Sequence, residues 1–321
     1  MEKIIIGIHG IGNKPPAKIL RQWWLESIYE GLKKNNYSTS GFNFELVYWA
    51  DILHKLPLDP EDNDRKKTGY MQEKYIAEGM PVINYSTGFR QKAIDYLEKY
   101  YDKLIINRVL TSASETITEL FIHLHMKDLE SYYSSTYIEN NGSRQLVREA
   151  IIERLISVLR KHKNKKIMLV AHSLGTVIIY DALNKKIPDL EIDTLVTIGS
   201  PLGQKFVLDN YKKQKTNGSV NKLRVPDNIK KHWYNLADLE DQVALKHRLS
   251  GLYEKNSNNL EVTDILVKNN YSYHGKQNPH KSFGYLRTPE FAEIINAFVT
   301  TKQAGVFGWL KEKLGKLLSS I

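Results

Sequence analysis

The amino-acid sequence predicts an α/β fold: a doubly wound, mainly parallel sheet of about six strands, with helices on both faces and an inserted helical cap. Three observations predict it. Short β-branched runs alternate with longer amphipathic stretches along most of the chain. The run Ile167-Met168-Leu169-Val170-Ala171 passes directly through a serine turn into a helical pattern. One connection between strand-like runs, residues 52–141, is far longer than the few residues that usually join such elements, so it must hold structure of its own.

Strands are predicted at residues 3–8, 44–48, 166–171, 193–198, 231–235 and 260–267. A helix is predicted over 17–34, started by Pro15 and Pro16 and presenting Ile19, Leu20, Trp23, Trp24, Ile28 and Leu32 on one face. The long segment 52–141 begins with a polar loop, 59–68, and continues with helical patterns at 91–110 and 114–133, which together read as the cap. Ser143 and Arg144 open a helix to about His162, with Leu146, Ile151, Leu155 and Leu159 spaced for one buried side. Further helices are predicted at 176–184 and at 289–300, the latter with Phe291, Ile294, Ile295 and Phe298 on one face. Residues 204–228 carry Lys212, Lys213, Lys215 and the Asn217-Gly218 pair, and read as an exposed loop.

Composition narrows the function classes. With 41% hydrophobic and 26% charged residues the chain is of ordinary globular type, and 321 residues of α/β pattern suit one domain around one sheet. The absence of cysteine excludes disulfides, thiolate metal sites and a cysteine nucleophile. The first apolar run is too short for a signal-peptide core, and no run reaches the roughly 20 apolar residues of a spanning helix, so a cytoplasmic location is expected. A formal charge of +10 favours anionic partners without choosing among them; no nucleic-acid-binding motif accompanies it, so no nucleic-acid partner is expected.

The chemistry centres on Ala171-His172-Ser173-Leu174-Gly175, between a predicted strand and a predicted helix. A nucleophile elbow needs small residues two before and two after the serine, because the backbone turns too sharply for larger ones, and Ala171 and Gly175 meet that need. The usual glycine at the first of these positions is replaced by alanine. Gly7, Gly10 and Gly12 match neither the Walker spacing nor the dinucleotide fingerprint. His123 and His125, two apart on a predicted helix, point in different directions and do not read as a metal pair. A serine nucleophile needs a base and an orienting acid, in the chain order serine, acid, histidine for this type of elbow. The loop after the strand at 231–235 offers Asp238, Glu240 and Asp241, and the stretch between the last strand and the last helix offers His274 and His280.

These motifs together resemble the α/β-hydrolase superfamily in its lipase-like branch. His9-Gly10, Ala171-His172-Ser173-Leu174-Gly175, Ile198-Gly199-Ser200-Pro201, an Asp-x-Val at Asp241 and a His-x-Ser-aromatic-x-aromatic stretch from His280 to Tyr285 follow the family's order. The resemblance spans residues 3 to about 300, leaves the cap region unassigned, and implies a minimal version of the fold without extra leading strands. It implies Ser173 as nucleophile, His280 as base in preference to His274, and Asp241 as acid in preference to Asp238 and then Glu240. It also implies an oxyanion hole made by the backbone N–H groups of Ile11 and Leu174, and neither metal nor organic cofactor. The implied substrates are carboxylic esters, of acyl or lipid type, with phospholipase, thioesterase and acyl-transfer activity sharing the same machinery. A non-catalytic lipid-binding adaptor on the same scaffold is the reading of a different class.

One further element bears on substrate. Residues 304–321 follow the hydrolase-like portion 1–303, and Val306, Phe307, Leu310, Leu314, Leu317, Leu318 and Ile321 share one helical arc beside lysines. That pattern suits an amphipathic helix lying on a membrane surface, as a peripheral contact, and equally one packed on the body of the protein.

Overall fold

The computed structural model describes residues 1–64, 67, 69–78, 130–138, 144–185, 187, 189–214, 223–244 and 246–300. Six parallel strands form one sheet: β1 (Lys3–Ile8), β2 (Asn43–Val47), β3 (Lys166–His172), β4 (Ile192–Ile198), β5 (Ile229–Ala237) and β6 (Val262–Leu266). Their spatial order is β6-β5-β4-β3-β1-β2. Each strand is covered on both faces, which explains why the central ones read as unbroken apolar runs. Alternate side chains divide between two cores, with Ile4, Ile6 and Ile8 of β1 in one and Ile5 in the other.

Helix α1 (Ala17–Lys34) links β1 to β2 and packs in the Ile5 core with α6 (Pro289–Thr300) and the short α5 (Ser282–Leu286). Helices α2 (Val147–Lys161) and α3 (Leu174–Leu183) fill the opposite core. The sheet is therefore doubly wound, as predicted. The predicted strands all form, within two residues at each end.

Three local expectations are corrected. The helix expected from Ser143 begins instead at Val147, because Arg144–Leu146 pairs antiparallel with Thr136–Ile138. Leu146 has the apolar character of a helix face but is exposed and extended, so Val147 takes the first buried position. The helix expected from Thr176 begins at Leu174, directly after the turn at Ser173. Within the expected loop 204–228, residues Lys205–Gln214 form helix α4, which buries Val207 and Tyr211 one turn apart.

Most of the expected cap, with its patterns at 91–110 and the greater part of 114–133, lies outside the described residues, as do His123, His125, Lys215, residues 217–218 and the tail 304–321. Among the described residues no helix is long and apolar enough to cross a membrane. The C-terminal root of the insertion is helical over 130–134 and is tied to the core. There Tyr132 Oη donates to Asp181 Oδ2 at 2.8 Å and Arg148 Nε to the same oxygen at 2.9 Å, with Asp181 buried. Removing the cation leaves that carboxylate uncompensated. Arg148→Ala is expected to lower unfolding free energy in urea by about 3 kcal/mol, and Tyr132→Phe by about 1 kcal/mol. A loss below 1 kcal/mol for Arg148→Ala would show that the pair does not secure this root.

Candidate active site

From β1 the chain crosses outward to β2, then returns to β3 on the other side of β1. That reversal opens a crevice at the carboxyl ends of β1 and β3, where ligands bind in sheets of this kind. The loop Gly10 to Lys14 and the serine turn meet there. Ser173 has φ 54° and ψ −127°, a conformation that costs a non-glycine residue roughly 1–3 kcal/mol. Its N–H donates to Ile198 O at 3.1 Å, and its own carbonyl accepts from Thr176 N and Oγ1 at 2.9 and 2.7 Å, which holds the strained turn.

The small neighbours are steric requirements. A Cβ on Gly175 would lie 2.8 Å from Ile8 O and 2.9 Å from His9 O, and one on Gly10 would lie 2.7 Å from Ser173 Cβ. Ala171, opposite Ile8 in the sheet and fully buried, shows that one methyl fits two residues before the serine.

Ser173 Oγ lies 3.0 Å from His280 Nε2, and His280 Nδ1 lies 2.9 Å from Asp241 Oδ2. Three residues from three loops, up to 107 positions apart, thus form one hydrogen-bonded line. His274 is not part of it: it is exposed, in a hairpin turn with φ 49°, against Tyr273. Asp238 is buried but accepts backbone N–H bonds from Glu240 and Asn269, tying two loops together, and Glu240 pairs at the surface with Lys268.

No family model matches this chain, and no curated protein matches it. Among solved structures, it is similar to a lipase-esterase related protein from Clostridium acetobutylicum ATCC 824, at 12% identity over 93% of each chain and a TM-score of 0.29.

The supports of the line are buried and mostly neutral. Burial pushes the Asp241 carboxyl up, but the nearby His280 and hydrogen bonds from His280, Tyr285 and Val243 hold it below its ordinary value. Tyr285 Oη donates to Asp241 Oδ2 at 2.7 Å and accepts Asp238 N–H at 3.0 Å, so this phenol orients the acid. Beneath the acid and base lies Gly199, with φ 55°, where a Cβ would fall 2.9 Å from Asp241 Oδ2 and 3.1 Å from His280 Nδ1. The loop of His280 is clamped by Asn269 Nδ2, which donates to Pro279 O and Lys281 O at 2.7 and 2.8 Å, and by His172 Nε2, which donates to His280 O at 2.7 Å. The supporting roles of Tyr285, Gly199 and Asn269 emerge only in the fold; in the sequence Tyr285 is signalled by the aromatic at the end of the His280 stretch and Gly199 by the Gly-Ser-Pro stretch, and Asn269 by nothing.

The backbone N–H groups expected as oxyanion donors belong to residues beside the cavity and the serine turn. Leu174 opens α3, so its N–H has no partner within the helix. Ile11 lines the same cavity as Ser173, and among the described residues its N–H has no backbone acceptor. His9 sets that peptide: its Nδ1–H donates to Gly10 O at 2.7 Å, and its Nε2 accepts Trp49 N–H at 3.0 Å. Since Gly10 C=O and Ile11 N–H belong to one planar trans peptide, they point in opposite directions, and the Ile11 donor faces away from His9.

Both buried imidazoles are held well below the ordinary histidine range, His9 by burial and then Lys14, His172 by burial and then His280. The unfolded chain protonates each near pH 6.5 while the native chain does not, so stability is full above about pH 7 and falls as pH drops below that value. The expected loss between pH 7.5 and 5.5 is about 1 kcal/mol per ring, read by urea unfolding at the two pH values. Equal stability at both would mean that these rings are not buried as neutral groups.

The cavity beside Ser173 has a volume of about 450 Å³, in the range of small-ligand sites. Its lining includes Ser173 and His280 together with the apolar Leu20, Trp24, Met71 and Phe283 and the polar Asn13, Lys14, Gln72 and Glu73. A hydroxyl bonded to an imidazole, itself oriented by a buried carboxylate, is equipped to attack an electrophilic carbon while giving up its proton.

Proposed function

We propose that this chain is a serine hydrolase of the α/β-hydrolase superfamily, cleaving carboxylic esters of acyl or lipid type through an acyl-enzyme on Ser173. The observation that carries the reading is the line Asp241, His280, Ser173, with its 2.9 and 3.0 Å links, ending at a strained serine beside an open cavity. In the proposed mechanism His280 takes the Ser173 proton as Oγ attacks the acyl carbon. The N–H groups of Ile11 and Leu174 stabilise the oxyanion, and protonated His280 then gives its proton to the leaving alcohol. Water, deprotonated by His280, releases the acid. Asp241 stabilises the imidazolium and keeps Nδ1 protonated throughout.

Thioesters and transfer to an acceptor other than water use the same steps. Residues 304–321, with their apolar arc and lysines, support peripheral contact with a lipid surface by an enzyme working in the cytoplasm, and the hydrolase portion is assigned to 1–303 with its cap within 52–141. The test is labelling with a fluorophosphonate probe: wild type is expected to label and Ser173→Ala is not. Labelling that persists in Ser173→Ala would remove the nucleophile assignment, and no labelling of folded wild type would favour the non-catalytic adaptor.

A further inference from the structure

The imidazole beside the nucleophile has one nitrogen that the fold uses and one that it leaves open. His172 Nε2 bonds to His280 O at 2.7 Å, and a carbonyl can only accept, so the proton of the ring is fixed on Nε2. The ring is held neutral, first by burial and then by His280. Its Nδ1 is therefore a bare lone pair that accepts and cannot donate. Among the described residues this nitrogen has no hydrogen-bond partner, and unlike the unpaired Nδ1 atoms of His162 and His247 it is not shut off from solvent. His172 lines the cavity together with Gly10, Ser173 and His280. The bare side of Gly10 locates Nδ1 among them: a Cβ built there falls 3.1 Å from Nδ1 and 2.7 Å from Ser173 Cβ. The acceptor thus stands next to the nucleophile, across a space that glycine at position 10 keeps clear. A lone pair open to solvent is satisfied by water until a ligand displaces it, and that ligand must then bring a donor or forfeit the hydrogen bond.

We propose that His172 Nδ1 accepts a hydrogen bond from a hydroxyl on the alcohol half of the ester, close to the scissile bond. The inference rests on the hydrolase reading of Ser173 and narrows its substrate class to esters of alcohols that carry a second, free hydroxyl. The alcohol half is indicated by His280. Its Nε2 must reach the leaving oxygen to deliver a proton, and the His172 ring packs against it with centroids 4.7 Å apart. A hydroxyl on the neighbouring carbon is the nearest donor such an alcohol can offer. An alkyl group in its place leaves the lone pair unsatisfied, and an ether oxygen sets acceptor against acceptor.

The test compares kcat/KM for 2-hydroxyethyl butyrate with propyl butyrate, which replaces the hydroxyl by methyl, and with 2-methoxyethyl butyrate, which keeps the oxygen and removes its proton. The hydroxyl ester is expected to be favoured over both in wild type, and His172→Phe is expected to reduce that preference about fivefold or more. The variant also loses the Nε2 bond to His280 and so slows on every ester; comparing ratios cancels this, and with it the intrinsic reactivity of each ester. A preference unchanged in His172→Phe, or none in wild type, overturns the inference and leaves the hydrolase reading standing; no hydrolysis and no fluorophosphonate labelling of wild type overturns both. A second readout leaves His172 in place. Ser173→Ala, labelled with ¹⁵N in its ten histidines, is able to bind each ester without cleaving it. With saturating 2-hydroxyethyl butyrate the His172 Nδ1 resonance is expected upfield of its position with propyl butyrate, since an acceptor nitrogen shifts that way when it gains a donor. Equal positions with the two esters would also overturn the inference.

Discussion

Ser173→Ala is expected to lower turnover of a p-nitrophenyl ester by about four to six orders of magnitude, with His280→Ala falling in the same range. The two side chains act as one device: Oγ is a weak nucleophile unless Nε2 accepts its proton, and the 3.0 Å link leaves no room for an intervening water. Their effects should therefore not add. The double variant Ser173→Ala/His280→Ala is expected to be no slower than Ser173→Ala alone, the residual rate coming from binding and the backbone donors. Asp241→Asn should cost about four orders of magnitude, because an amide at Oδ2 no longer specifies which imidazole nitrogen carries the proton. His274→Ala, at an exposed turn, should keep most of the activity. Steady-state kinetics on the purified variants decide this. Ser173→Ala with more than a few per cent of wild-type turnover, or a double variant far slower than either single one, would break the proposed unit.

Most of this architecture is legible in the sequence because burial writes itself into residue type. β3 is covered on both sides, so its interior is Ile-Met-Leu-Val-Ala without a polar interruption, and α6 declares its one buried face through Phe291, Ile294, Ile295 and Phe298. Helix α4 hides its pattern because its buried Val207 and Tyr211 stand among lysines and polar residues in the sequence. Leu146 misleads in the opposite way, an apolar side chain at a helical spacing that is spent on an exposed short strand.

The candidate site divides along the same line. Ser173, Asp241 and His280 sit in local contexts with recognisable residues on either side, and the structure brings those three together. What holds them there depends on contacts between distant parts of the chain. Trp49 reaches His9 across 40 positions, Tyr285 reaches Asp241 across 44, and Asn269 fits only because Gly284 is bare, a Cβ there falling 1.6 Å from Asn269 Oδ1. Nothing adjacent in the sequence marks such pairs, since each partner alone is an unremarkable core residue.

Gly199→Ala is expected to lower kcat by about a hundredfold or more while leaving the protein folded, because the added methyl lands between the two groups whose alignment matters most. The Cβ would lie 2.9 Å from Asp241 Oδ2, 3.1 Å from His280 Nδ1 and 3.2 Å from His280 Cε1, and none of these belongs to a flexible side-chain end. Asp241 is fixed by Tyr285 and Val243, and the backbone of His280 by Asn269 and His172, so the strain goes into the Asp241 to His280 link itself. Two effects combine at Gly199, since φ 55° also penalises any side chain by roughly 1–2 kcal/mol. Gly251→Ala separates them: its φ is 82°, but no atom of the described residues lies within 4 Å of the new Cβ. That variant should lose stability and keep its turnover, while Gly199→Ala loses both. Melting temperatures and kcat measured on the pair give the answer. Wild-type kcat in Gly199→Ala would mean that the acid and base are not held to the close geometry from which the proposed chemistry is derived, and a matching loss of kcat in Gly251→Ala would assign the effect to general destabilisation instead.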